Sequence, residues 1–281
     1  MMDHQEGTFE GCDGIDLYYQ RWKPEGIPRA VLAIVHGFGE HSGRYGNVVD
    51  WFVPRGYAVY AFDLRGSGQS PGPRGHVDDF AEYRGDVQAF LDMVKEVEPS
   101  RHIFLLGHSQ GGLIALNYVL HDPSGLAGII ASGPALGKLP VSPFLLLLAR
   151  TLSHIWPRLT LETGLEVEAL SRDPEVVQAY VNDPRVHNVA TPRLGTELMA
   201  AAEWTRGHAA EMALPLLIVH GAADRLCQPE DSRAFYHDVT HPDKERIAYD
   251  GYYHEVFNEP GKETVLADVE TWLAEHLERG W

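Results

Sequence analysis

Gly107-His108-Ser109-Gln110-Gly111 sets a serine between glycines, directly after the apolar run Ile103-Phe104-Leu105-Leu106 and before the helix-like stretch 113–120. A G-x-S-x-G pentapeptide alone is a weak signal, but between a strand and a helix it reads as a nucleophile elbow. The serine must project from a tight, strained turn at the carboxyl end of a strand. Glycines on both sides let the backbone make that turn without Cβ clashes. Gly112 lets the next helix pack closely on the sheet, and that helix points its free N–H groups at the reaction centre, where they favour a developing negative charge.

A serine at its ordinary pKa is a poor nucleophile, so a base and a group that orients the base must follow. Serine hydrolases built on such an elbow take them in the chain order Ser, Asp or Glu, His. Of the 15 histidines, His254 comes after the last apolar run and before the final helix, on a loop expected at the same edge of the sheet. His276, in the C-terminal helix, and His237, on a helix face, read as solvated, and His241 as a loop residue. Asp224 follows the preceding strand in Val219-His220-Gly221-Ala222-Ala223-Asp224-Arg225 and is expected to hold the imidazole in its working tautomer. Its competitors, Asp231 and Asp250, read as a helix first-turn residue and a turn residue.

The oxyanion needs two backbone N–H groups. Gln110, after the nucleophile, supplies one, and Phe38 in Val35-His36-Gly37-Phe38-Gly39 is the candidate for the other. His36 reads as a residue that hydrogen-bonds neighbouring loops. Cys12 and Cys227 are far apart with no CxxC spacing, so they read as small buried residues and not as a disulfide or thiolate metal site.

The elements that must position these groups follow from the pattern of the chain. A hairpin over 8–22 turns at Asp13-Gly14. Short apolar runs at 30–35, 57–62, 102–106, 126–131, 216–219 and 246–249 then alternate with helix-length segments, which predicts a mostly parallel sheet covered on both faces. The clearest helix is 78–97, with Phe80, Tyr83, Val87, Leu91, Val94 and Val97 on one face. With 281 residues, 44% of them apolar, one large domain with an insertion is expected. A net charge of -17 argues against nucleic-acid partners. Met1-Met2-Asp3-His4-Gln5-Glu6 lacks the basic and apolar regions of a signal peptide, and no run reaches the length of a membrane span. The expectation is a soluble cytoplasmic protein, with peripheral contact at membranes.

About 80 residues separate the runs near 131 and 216, more than a simple crossover needs, so something is inserted there. Ser142 as N-cap, Pro143 at the first position and Pro157 beyond the end delimit a helix over 143–156. Its apolar residues go more than halfway round, which marks it as buried or as a lid against lipid or a hydrophobic substrate. Phe144, Leu146, Leu147 and Ile155 are its candidate substrate-binding residues.

Taken together, His36-Gly37-Phe38-Gly39-Glu40-His41-Ser42-Gly43-Arg44-Tyr45, Asp63-Leu64-Arg65-Gly66-Ser67-Gly68-Gln69-Ser70, the elbow, Tyr180-Val181-Asn182-Asp183-Pro184, Gly221-Ala222-Ala223-Asp224-Arg225-Leu226-Cys227 and the Tyr253-His254 loop resemble the monoacylglycerol lipases and lysophospholipases of the α/β-hydrolase fold. The resemblance runs from about residue 8 to 278. It implies an eight-stranded, mostly parallel sheet flanked by helices, a core of 1–136 and 206–281, and a helical cap over 137–205 above an acyl pocket. It also implies the Ser109, Asp224, His254 triad, the Phe38 and Gln110 oxyanion hole, and no cofactor or metal. Gln110 departs from the methionine expected in many relatives.

Rival readings are weaker. Gly37-Phe38-Gly39-Glu40-His41-Ser42 with Asp63 nearly matches a dinucleotide fingerprint, but the third glycine is missing. His254-Glu255-Val256-Phe257-Asn258 begins like H-E-x-x-H yet has asparagine in place of the second ligand. A non-catalytic ligand receptor should have lost a triad member. The sequence therefore predicts a serine carboxylic ester hydrolase acting on neutral monoacylglycerols. Lysophospholipase, broad carboxylesterase and a peptidase on the same fold are the alternatives.

Overall fold

The computed structural model describes residues 2–99, 101–137 and 143–278, with side chains of the last segment described from Leu147 onward. The chain opens with the antiparallel pair β1 (Asp3–Glu10) and β2 (Asp16–Lys23), and Asp13 and Gly14 both take positive φ in the turn. Then follow β3 (Ala30–Val35), α1 (Gly46–Phe52), β4 (Tyr57–Phe62), α2 (Phe80–Val97), β5 (Ile103–His108), α3 (Gln110–His121) and β6 (Gly128–Ser132). An insertion carries α4 (Pro143–Ile155), the two-residue strands β7 (Leu161–Glu162) and β8 (Val189–Ala190) with α5 (Pro174–Asn182) between them, and α6 (Pro192–Gly207). The chain then returns through β9 (Leu216–Gly221), α7 (Pro229–Asp238), β10 (Lys244–Tyr249) and α8 (Lys262–Glu278).

Eight strands form one sheet in the order β1-β2-β4-β3-β5-β6-β9-β10, and every pairing from β4 to β10 is parallel. Strands β3, β4, β5, β6 and β9 are buried along their whole length, as apolar runs without alternation require when both sheet faces are covered. One apolar core lies on each face. The strand order reverses between β3 and β5, which opens a crevice at their carboxyl ends, and Phe38 and Ser109 both sit on the loops that leave that edge.

Helix α2 begins at a capping box, Asp79 with Glu82, which satisfies two of its free N–H groups, and buries Phe80, Tyr83, Val87, Leu91 and Val94. Val97 is exposed, because it falls in the last turn beyond the core. Helix α6 buries Leu194, Ala201 and Ala202 and packs on α2, α3 and α4, so the insertion ends in a helix that also covers the core. His276 corrects the solvated reading: it is buried, its Nδ1 donates to Trp272 O at 2.6 Å, and its Nε2 lies 3.1 Å from Asp243 Oδ2. Its position on the helix wheel alone did not separate a buried polar contact from solvent.

Phe62 on β4 is fully buried, its ring 5.6 Å from Phe9 and 4.6 Å from Phe90. Phe62→Ala should therefore destabilise the protein by about 3–5 kcal/mol. A thermal melt should show a midpoint lower by roughly 10 °C; a shift within error would mean the aromatic cluster collapses around the gap.

Candidate active site

Ser109 stands between β5 and α3 at φ 54, ψ -117, a region that non-glycine residues avoid. The strained turn is held from three sides: Ser109 N–H donates to Ser132 O at 2.9 Å, and Ser109 O accepts from Ala135 at 3.0 Å and Leu113 at 3.1 Å. The glycines are required by close approach. A Cβ on Gly107 would lie 2.3 Å from Gly111 O, and one on Gly111 would lie 2.2 Å from Val35 O.

Asp224 and His254 lie on the loops after β9 and β10 and are both buried. His254 Nδ1 donates to Asp224 Oδ2 at 2.7 Å. The same oxygen lies 3.1 Å from His220 Nε2, while Oδ1 accepts from the Leu226 and Cys227 N–H groups at 2.8 and 3.0 Å. Burial opposes ionisation of Asp224, but the His254 charge and these hydrogen bonds outweigh it and hold the carboxyl below its usual range. Conversely, burial lowers the His254 pKa, and the Asp224 charge and hydrogen bond more than restore it, leaving it above 6.5. The neighbouring His108 ring, 4.7 Å from that of His254, is pushed down to about 4 by burial and by His254, so it stays neutral.

Ser109 Oγ lies 4.0 Å from Cys227 Sγ in place of a hydrogen bond to His254. Such contacts commonly tighten only when substrate is bound. The two cysteines are unpaired, as expected, but only part-buried where full burial was expected; Cys227 lines the cavity beside Ser109. Burial and the Asp224 charge push its thiol up, so it is no nucleophile at neutral pH. Gly37 N–H is taken by Glu40 Oε1 at 2.6 Å, which leaves the next N–H of the loop, that of Phe38, for a ligand. Gln110 opens α3, so its N–H is one of the helix's free donors. His36 shapes this loop as expected, accepting from Leu64 N–H at 2.9 Å.

Ser109 and His254 share a cavity of about 150 Å³ with Phe38, Cys227, the apolar Leu165, Leu170 and Leu226, and the polar Glu40, Arg44, Tyr180 and Glu255. The polar wall escaped the sequence reading. Arg44 binds Glu255 through both terminal nitrogens, at 2.6 and 2.8 Å, and Glu40 Oε2 at 2.8 Å, and it lies over the Tyr180 ring. The Glu40 and Arg44 spacing was the one available sign; Glu255 is too distant in sequence. A second cavity, of about 410 Å³, lies behind Leu226 and Cys227 among Leu113, Leu198, Met199 and Ala202.

Of the four insertion residues expected to bind substrate, Phe144 and Leu146 have side chains outside the described residues. Leu147 and Ile155 are 64% and 75% exposed and line neither cavity. The apolar pattern predicted the helix but not its rotation: packing on α6 turns this side of α4 outward.

Comparison with known proteins agrees in fold and family. Residues 26–261 match the model of a hydrolase family described as serine aminopeptidase, S33. A monoacylglycerol lipase of Mycolicibacterium smegmatis is 38% identical over 274 residues, covering 97% of this chain and 98% of that protein. The phospholipase YtpA of Bacillus subtilis is 32% identical over 259 residues, covering 91% of this chain and 99% of its own. The crystal structure of a monoacylglycerol lipase from Paleococcus ferrophilus superposes with a TM-score of 0.84 at 36% identity, over 92% of this chain and 99% of the other.

Removing Arg44 strands two buried carboxylates, so Arg44→Met should cost about 3–5 kcal/mol in urea unfolding. Burial opposes ionisation of Glu40, but the Arg44 charge and the Gly37 N–H outweigh it and hold the carboxyl below its ordinary 4.5. A depressed folded-state pKa stabilises above the unfolded value and is lost as pH falls below it. Unfolding free energy should therefore drop from about pH 4.5 downward in the parent and less steeply in Glu40→Gln; equal slopes would show that Glu40 is not linked to folding.

Proposed function

The chain belongs to the α/β-hydrolase family of monoacylglycerol lipases and serine aminopeptidases S33, and from that premise we propose that it hydrolyses monoacylglycerols through an acyl-enzyme on Ser109. The two-sided cavity carries this reading. Next to Ser109, one wall offers polar groups suited to a small polyol, while Leu226 and Cys227 border the larger, mostly apolar space suited to an acyl chain, whose lining also includes Arg225, Gln228 and Asp231. Ser109 Oγ attacks the ester carbonyl as His254 takes its proton, and the oxyanion is received by the Phe38 and Gln110 N–H groups. His254 then protonates the departing glycerol, and water repeats the sequence to free the fatty acid. The segment 137–205 acts as the cap of the acyl pocket.

Charge supports a neutral head group. Two carboxylates, Glu40 and Glu255, stand against one guanidinium, Arg44, in the lining of the cavity, within a chain of net charge -17. Anionic lysolipids are repelled on approach, and neutral monoacylglycerol is not. An aminopeptidase would need a free carboxylate beside Ser109 for the substrate ammonium, whereas Glu40 and Glu255, the carboxylates lining that cavity, are both bound to Arg44. Initial rates on matched oleoyl substrates should fall in the order monoacylglycerol, diacylglycerol, triacylglycerol, with lysophosphatidylglycerol slower than monoacylglycerol at low salt and gaining on it as salt screens the field. A lysolipid cleaved as fast at low salt makes the enzyme a lysophospholipase; its Bacillus subtilis relative is named a phospholipase.

Ser109→Ala should lower kcat by about 10⁴ to 10⁶. The base must be neutral, so kcat/KM should decline on the acid side with a midpoint above 6.5, where Asp224 holds His254. Asp224→Asn should lower kcat by about 10⁴ and move that midpoint down; an unmoved midpoint reassigns the acid.

No described helix is long and apolar enough to cross a membrane. Leu147, Leu148, Ile155 and Trp156 instead present an exposed apolar face, which we assign to transient contact with lipid surfaces. Leu147→Ser with Ile155→Ser should weaken vesicle binding and long-chain turnover but leave a soluble acetate ester and the melting temperature nearly unchanged; a large drop in melting temperature would show that this face is packed.

A further inference from the structure

Behind the loop that carries Phe38 lies a cavity of about 10 Å³, bounded by Gly37, Phe38, Gln110, Tyr83 and His187 among others. Space of that size holds about one water molecule. Two buried polar atoms of its lining residues, Gln110 Oε1 and His187 Nδ1, have no hydrogen-bond partner among the described residues. Buried polar atoms rarely stay unpaired, because the lost hydration is not recovered.

The two atoms come from distant parts of the fold. Gln110 opens α3, and its side-chain amide interacts with the Tyr83 hydroxyl. His187 lies in the insertion between α5 and β8. Its N–H donates to Gly39 O at 2.9 Å, and its ring stands edge-on to Phe38 with centroids 5.4 Å apart. A Cβ on Gly39 would lie 2.2 Å from His187 O, so the two segments are in backbone contact. The cavity therefore sits between the two residues whose N–H groups are assigned to the oxyanion.

We propose that this cavity is the site of one ordered water that bridges Gln110 Oε1 and His187 Nδ1, making Gln110 and His187 positioning residues for the oxyanion donors. The inference rests on the assignment of Phe38 and Gln110 N–H as those donors. When the imidazole carries its proton on Nε2, the water donates one hydrogen to each atom. When Nδ1 carries it, the water accepts from His187 and still donates to Gln110, so either tautomer keeps the bridge. The bridge fixes the start of α3 relative to the segment that backs Phe38, and the spacing of the two N–H groups is held while charge develops between them.

A high-resolution crystal structure of the full chain should show a density peak within hydrogen-bond distance of both atoms; an empty cavity overturns the proposal. Gln110→Met removes the acceptor at nearly constant shape, and His187→Phe keeps a ring against Phe38 without Nδ1. Each should lower kcat on a short p-nitrophenyl ester by about three- to tenfold with little change in KM or melting temperature, a fraction of the loss when an oxyanion donor is deleted. The double variant should be no worse than the worse single one, since both act through one water, and His187→Gln should recover most of the His187→Phe loss. Losses that multiply, or singles without loss, overturn the proposal. Ser109→Ala, assayed in parallel, reads the hydrolase assignment separately: activity surviving there removes the catalytic reading, and the density peak is then judged by itself.

Discussion

The backbone at Ser109 is the constraint on which the rest of the molecule depends. A serine at φ 54, ψ -117 does not stay there by local preference. It is fixed because β5 lies in the middle of the sheet, bonded to β3 on one side and β6 on the other, and because Ser132, Ala135 and Leu113 take up the backbone groups of the turn. The glycines at 107 and 111 permit backbone approaches that any side chain would block. The buried core on both faces is thus a condition of the chemistry, since a looser sheet would let the turn relax.

From that fixed point the other groups are placed by loops at the same edge, and each is over-determined. The Asp224 carboxylate receives four hydrogen bonds, two from its own loop and two from imidazoles, so its orientation toward His254 does not rest on a single contact. The His254 loop is tied in turn to the insertion, with Glu255 N–H donating to Leu170 O at 2.8 Å. Its neighbour Glu255 closes the polar wall through Arg44. Asp224, His254 and the polar wall are therefore parts of one bonded unit assembled from loops more than 200 residues apart.

How much of this was legible in the sequence follows from the range of each interaction. The elbow, the order of strands along the chain, the loops of Asp224 and His254, and α2 rest on local spacing, and the corresponding segments fold where spacing puts them, with strand ends moving by one or two residues except for β1, which begins at Asp3 and not at 8. Arg44 against Glu255, the unpartnered His187 nitrogen and the burial of His276 depend on which distant segments meet, and spacing carries no such information. The exposed side of α4 lies between these cases. Its apolar breadth was readable, but which side faces outward is decided by α6, a helix that begins 37 residues after α4 ends.

The insertion is held unequally along its length, and this bears on how it serves the site. Its later part is latched to the core at several separate points. Asp183 accepts from His41 Nε2 at 2.8 Å, His187 N–H donates to Gly39 O at 2.9 Å, and Thr191 N–H donates to Gly75 O at 2.9 Å. Gly75 has no room for a side chain, since a Cβ there would lie 1.9 Å from Val189 O. These contacts fall on the loops that follow β3 and β4, so residues 183–191 are held against the loop that carries Phe38. Helix α4, by contrast, packs chiefly on α6 and shows solvent a row of large apolar side chains. A segment that positions N–H groups must be rigid, and one that meets a lipid surface needs an uncovered apolar face. The insertion divides into a part latched beside the Phe38 loop and an exposed part away from it, so the two demands that the proposed function makes do not fall on the same segment.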